Sequence, residues 1–367
     1  MSLQILCDII TSLEGSVRPA AYLAEDLVKA GCEVTIISPI ITPEAEEEIN
    51  RKGIKTINLN IKHFSDASNS STLWLETWLY EALFKRNSKR IEKNPPAAIN
   101  FSHVIFAPTT FWYLQGPPST ALSDISSQLP KRLKLAYHAT KPLIEYLDKK
   151  TIKRAKSLAT CFIANSKFCA SMYTKFGIKA HDIVYPPLDR KIFRQTTKKP
   201  TEDYVLTYFG KETKFSIIKR IADMGVKIKA FGSKTSTIDK SLLKNPNIEF
   251  LGRVPTAELV NMYSNALYTL FPFTHEPFGY IPLESMACGT PTLTYSMQGP
   301  GEYIIDGENG WLAKDDENLM QKAIKLWKHG YPKEIRKRCV ENAEKFDREN
   351  YFNKWLNLLK SSGFWVK

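Results

Sequence analysis

Residues 266–291 carry, in order, the local signals of a strand, a tight loop and a helix. Residues 266–272 form a short apolar and aromatic run, the composition of a buried strand. Pro282 suits the first turn of a helix, and Gly289 followed by Pro291 marks where that helix ends. Glu276 then falls on the loop leaving the strand, and Glu284, eight positions on, in the first turn of the helix. Gly279 lies between them and has no Cβ to keep another group away from the backbone. Strand-like runs alternate with helical stretches through both halves of the chain, which predicts parallel sheets covered by helices. Ligands of such sheets bind in the crevice beyond the carboxyl ends of the strands.

The chemistry of this segment suits a nucleotide sugar. A helix N-terminus presents unpaired amides and attracts phosphate. Glu284 has acceptors for a pair of ribose hydroxyls, and Glu276 can accept hydrogen bonds from sugar hydroxyls. Spacing alone is weak, because a first-turn Glu ordinarily complements the helix dipole. The full string says more: Glu276, Phe278 and Gly279, then Leu283, Glu284, Met286, Ala287, Gly289 and Pro291. It resembles the Glu-x7-Glu signature of the retaining GT-B glycosyltransferases, family 4 in particular (glycosyl transferases group 1), at each fixed position.

That resemblance implies an α/β chain of two Rossmann-like parallel-sheet domains facing a central cleft, with a C-terminal helix crossing back to the first domain. It implies transfer of a hexose, with retained configuration, from a GDP- or UDP-linked sugar to a hydroxyl of a glycan, glycolipid or lipid-linked acceptor. Glu276 would position the transferred sugar and stabilise the developing cation. Pro277, Phe278, Gly279, Tyr280, Ile281 and Glu284 would bind the donor. No cofactor and no metal are implied, and the chain has no Asp-x-Asp motif.

The resemblance extends outward from the signature. Residues 299–312 are similar to the family's glycine-rich loop and closing strand, and 247–254, with Arg253 and Val254, to the segment facing the nucleobase. In residues 205–214, Lys211 takes the place of a family Arg and Lys214 that of a family Lys, the cations that hold the diphosphate. Lys for Arg keeps the charge and loses the bidentate fork. At the amino end, the strand at 3–10, the loop with Gly15 and Ser16, the helix at 20–30 and the strand at 31–38 resemble the family's first βα unit, whose loop touches the donor's phosphates. The family's active-site His has three candidates here. His103, at the end of an apparent strand at 97–102, ranks first as catalytic residue, and Gln115 and His138 follow on the acceptor side.

At 367 residues and 43% hydrophobic, the chain is long for one core. The expected division is an acceptor domain at 1–190, a linker at 191–203, a nucleotide-sugar domain at 204–346 and a returning helix at 347–367. Residues 101–200 hold 17 basic and 5 acidic side chains, which accounts for nearly all of the net charge of +13. Residues 141–158 read as a basic amphipathic helix, so an anionic membrane surface is an expected partner of the 131–199 region. The six cysteines show no metal or CxxC spacing, and no signal peptide is visible. A cytoplasmic protein, peripheral on the inner membrane face, is expected. Alternatives are a sugar-nucleotide epimerase or phosphorylase of the same fold, or a non-enzymatic basic binder of membrane or nucleic acid. No nucleic-acid motif supports the last, so no nucleic-acid partner is expected.

Overall fold

The structure, a computed structural model, describes residues 2–62, 70–85, 88, 91, 98–129, 131–233, 238 and 240–363. The chain forms two compact units. One comprises Met1–Thr120, Ala139–Pro187 and Glu349–Lys367; the other comprises Ala121–His138 and Leu188–Arg348.

The first unit is built on strands β1 (Ser2–Leu6), β2 (Glu33–Ser38), β3 (Lys55–Asn58), β4 (Ala98–Asn100), β5 (Thr109–Leu114), β6 (Ala159–Ala164) and β7 (Asp182–Ile183). They pair in the order β3-β2-β1-β4-β5-β6-β7, every pair parallel. Ala97, the first residue of the expected strand at 97–102, lies outside the described residues. The central strands are apolar on both faces, as parallel strands covered by helices must be. The helix Arg348–Ser361 also belongs to this core. Trp355 is fully buried, its ring 5.8 Å from those of Phe101, Phe111 and Tyr113, and Tyr351 Oη donates to the Pro19 carbonyl at 3.0 Å.

The second unit has strands β8 (Val205–Phe209), β9 (Ile228–Gly232), β10 (Ile248–Gly252), β11 (Thr269–Phe271), β12 (Thr292–Tyr295) and β13 (Gly310–Ala313), all parallel, in the order β10-β9-β8-β11-β12-β13. This is a doubly wound sheet, and its order reverses between β8 and β11. Helix Phe215–Asp223 shows why the layers form. Ile217, Ile218, Ile221 and Ala222 fall on one face and are buried against the sheet.

The strands expected at 3–10 and 97–102 are shorter, Ser2–Leu6 and Ala98–Asn100, and the basic helix is longer than expected. The basic helix runs Lys131–Leu158, starting ten residues early and continuing through Pro142. Pro142 and His138, whose carbonyl loses its usual donor there, are both exposed, so water can serve the orphaned carbonyl. Among the described residues, no helix is long and apolar enough to cross a membrane.

Candidate active site

The second unit's sheet reverses between β8 and β11, and the loops leaving these two strands are zipped together. Lys214 N–H donates to the Pro272 carbonyl at 2.8 Å, and Thr274 donates to the Glu212 carbonyl from its amide at 3.0 Å and its hydroxyl at 3.1 Å. Glu276 stands at the end of this zipper, half-buried. Its Oε1 takes the Phe278 N–H at 3.3 Å, and its carbonyl takes the Gly299 N–H at 3.0 Å. Burial, then the negative charge of Glu212, raises the Glu276 carboxyl from 4.5 to about 7. The amides of Phe278 and Gly279 and the His275 ring pull the other way without cancelling the rise.

The turn behind Glu276 needs its glycines. Gly279 has φ +97°, and a Cβ there would lie 2.7 Å from Pro300 Cγ and 2.9 Å from Tyr303 Oη. Tyr303 Oη donates to the Gly279 carbonyl at 2.6 Å. Phe278 is a packing residue as much as a loop residue. Its ring is buried, 5.7 Å from that of Tyr303 and 5.9 Å from that of Phe346. The Phe278 side chain is therefore committed to packing.

The helix after the turn is Tyr280–Ala287, which corrects the expected position of Glu284. Left-handed Gly279 lets the helix begin at Tyr280, so Pro282 is its third residue and Glu284 falls in the second turn, 3% exposed. Tyr263 Oη donates to Glu284 Oε2 at 3.3 Å. Ser285 Oγ donates to the Thr290 carbonyl at 2.8 Å and lies 2.7 Å from Thr269 Oγ1, tying the helix to β11. Buried Arg336 donates to the carbonyls of Ser264 and Gly289 at 3.2 and 3.0 Å and to Glu202 at 2.9 Å, placing a cation where the helix dipole is negative.

Sequence reasoning missed Tyr208. Its ring lies across the ends of β8 and β9, where Cβ atoms on Gly210 or Gly232 would come within 2.6 and 2.8 Å of it. It stacks 6.2 Å from Phe273 and sits 5.3 Å from Phe231. Burial, then the charges of Glu212, Glu276 and Glu284, raises the Tyr208 hydroxyl, and Arg253 opposes them. Tyr208 thus gathers the two predicted glutamates, Glu212 and Arg253 into one electrostatic neighbourhood. Glycines ending two adjacent strands were the available signal. Arg253 is exposed and Val254 partly so; Pro277, Tyr280 and Ile281 are half-buried around the turn.

The two predicted phosphate cations are not equivalent. Lys211 is largely exposed, 3.5 Å from Glu212 Oε1. Lys214 Nζ is held at 2.8 Å by Asp316 Oδ1 and lies 4.3 Å from the centre of the Tyr295 ring. A second missed pair adjoins Glu276: His275 is buried, and its Nδ1 lies 2.8 Å from Asp124 Oδ2.

In the first unit, Ser16 and Gln115 line one small cavity with Cys7, Asp8 and Phe101. Gln115 Nε2 donates to the Phe101 carbonyl at 2.8 Å, and exposed Gly15 opens the short 3₁₀ turn before Arg18. His103 is joined to Asp8, one of the residues lining this cavity. Its ring is 5% exposed, Nε2 is 2.7 Å from Tyr173 Oη, and its amide donates to Asp8 Oδ1 at 2.8 Å. His138 is exposed and groups with the second unit. Among the described residues, no three His, Cys, Asp or Glu side chains are clustered so as to hold a metal ion.

Residues 191–346 match the glycosyl transferases group 1 family. An uncharacterized glycosyltransferase of Methanocaldococcus jannaschii is 30% identical over 131 residues, 35% of this chain and 36% of that protein's length. Two solved structures share the fold across 98% of this chain: sucrose-phosphate synthase of Thermosynechococcus elongatus (TM-score 0.73, 15% identity, 98% of that chain) and Anabaena HepE in complex with UDP and glucose (TM-score 0.69, 13% identity, 100% of that chain). The two Rossmann-like sheets are those of the GT-B fold, and the match to the glycosyl transferases group 1 family spans residues 191–346, which hold the second sheet.

Proposed function

We propose that this protein moves a hexose from a nucleoside-diphosphate sugar to a hydroxyl of a glycan, glycolipid or lipid-linked acceptor, with retained configuration and without a metal or cofactor. The observation that carries the reading is the placement of Glu276. It is a carboxyl raised to about 7, on a glycine-clamped turn at the reversal point of a doubly wound sheet, beside Tyr208 and Arg253.

In this reading Glu276 accepts hydrogen bonds from the transferred sugar and stabilises the cation that develops at its anomeric carbon. It does not form a bond to that carbon; the acceptor oxygen enters on the face the diphosphate leaves. Glu284 reads the ribose from the helix behind the turn. Charge growing on the diphosphate is met by exposed Lys211 and Arg253, with backbone amides of the Gly279 turn as further donors. Lys214 contributes only by leaving Asp316. The acceptor is met by the first unit through Gln115, which shares a cavity with Ser16, a contact to the donor's phosphates in this reading. The protein works in the cytoplasm, at the anionic membrane face.

Thermal-shift measurements with UDP, GDP and ADP test the donor site, because a ligand that binds only the folded state raises its melting temperature. UDP comes first, since the similar HepE was solved with it. Incubation with the matching nucleotide hexoses and a hydroxyl acceptor should then yield a glycoside. Release of free nucleotide with no glycoside, or no nucleotide binding, overturns the reading.

A further inference from the structure

We propose that the outer face of helix Lys131–Leu158, between Leu143 and Lys153, is a docking surface for an anionic lipid bilayer. The inference goes beyond the sugar chemistry and stands or falls separately from it.

The helix has two faces. Its inner face supplies Leu147, Ile152 and Ala155, each at most 3% exposed, to the core of the first unit. A helix that only covers a core is polar on the other side. Here the outer side carries Leu143, 56% exposed, and Tyr146, 63% exposed. Lys150 and Lys153 follow at i+7 and i+10 from Leu143, on the same face, with Lys149 beside them. All three lysines are exposed and make no ion pair among the described residues. Cations nearer the flank are engaged: Arg154 pairs with Glu81 at 2.6 Å, and Lys156 donates to the Gly177 carbonyl at 2.7 Å. The same helix opens with Leu133 and Leu135, both more than half exposed, among Lys131, Arg132 and Lys134.

An apolar pair flanked by free lysines fits the boundary between acyl chains and headgroups. Leu enters the chains, Tyr sits at the headgroup level, and Lys reaches back to lipid phosphates. Charge decides between occupants. A second copy of this face would set lysines against lysines, whereas an anionic bilayer neutralises them. The helix as a whole carries nine basic and two acidic side chains.

Flotation of the full chain with phosphatidylcholine vesicles, with and without phosphatidylglycerol, tests the surface. The protein should float with the anionic vesicles only, and added salt should release it. Lys149→Glu/Lys150→Glu/Lys153→Glu and, separately, Leu143→Ser/Tyr146→Ser should each weaken vesicle binding roughly tenfold or more, with melting temperature and any UDP or GDP shift unchanged. No flotation of the natural protein, or flotation of either variant like the natural protein, overturns the proposal. So does light scattering that shows a dimer which Leu143→Ser/Tyr146→Ser dissolves, since the face would then join protein chains.

Discussion

Gly299 closes the loop of Glu276: its N–H meets the Glu276 carbonyl at 3.0 Å, and a Cβ on Gly299 would lie 2.2 Å from the Pro277 carbonyl oxygen. No side chain fits there without moving the backbone that carries Glu276. Gly299→Ala is expected to cost about 1–3 kcal/mol of stability through that displacement. Turnover should fall further than stability accounts for, on the order of a hundredfold for a shift near 1 Å. Melting curves and initial rates on the same preparation check this; a variant with normal turnover would place the Glu276 loop outside the chemistry.

Glu276 itself links folding to pH. Its carboxyl is raised from 4.5 to about 7, so the folded chain holds this proton where the unfolded chain has lost it. The sign follows: stability from this group is fully present below about pH 4.5 and is lost as pH rises through about 7. Glu276→Gln removes the loss. The variant should melt higher than the natural protein near pH 8, and in the same buffer series the gap should close towards about pH 5, roughly half a unit above the unfolded carboxyl. In the natural protein kcat/KM should climb through about pH 7 as the carboxylate forms, and Glu276→Gln should abolish turnover.

Much of this site could be read from local sequence because its signals are local. Apolar runs, Pro282, and the glycines at 279, 289 and 299 fix strand, turn and helix within a few residues of themselves. What could not be read depends on partners far along the chain. Lys214 occupies the place of a family phosphate-binding Lys, yet Asp316, 102 residues on, holds its ammonium. Tyr208 looks like one more strand aromatic until Gly232 of the next strand admits its ring. Glu284 moved a turn because a left-handed glycine, one residue before the helix, supplied a start that Pro282 obscured. The first unit was harder still, since neither the burial of His103 nor its contact with Tyr173, 70 residues on, is visible in the local sequence.

The lysines of the β8 loop should therefore separate. Lys211 is exposed and close only to Glu212, so Lys211→Ala is expected to leave melting unchanged and weaken UDP or GDP binding roughly tenfold, the worth of one charge-assisted hydrogen bond. Lys214→Ala breaks the pair with Asp316 and the contact with Tyr295, so it should lower stability by about 1 kcal/mol and affect nucleotide binding less. Calorimetric titration with nucleotide, beside melting curves, reads both effects. The reverse order of the two binding losses would return Lys214 to the diphosphate.

His103 makes the last prediction. Its ring is buried against Tyr173 and Trp112, and burial lowers its proton affinity below the usual 6.5, with Asp8 opposing. A histidine held neutral in this way favours the folded state above about pH 6.5, and that contribution is lost as the pH falls and the unfolded chain takes up the proton. His103→Ala should cost about 2–4 kcal/mol, from the cavity and from the hydrogen bond that the Tyr173 hydroxyl loses. Tyr173→Phe should cost about 1–3 kcal/mol, and the double variant less than the sum, because both changes remove one contact. Turnover per folded molecule should stay within a few-fold in Tyr173→Phe and in His103→Gln. A hundredfold loss in His103→Gln with melting unchanged would instead make His103 the catalytic histidine of the first unit.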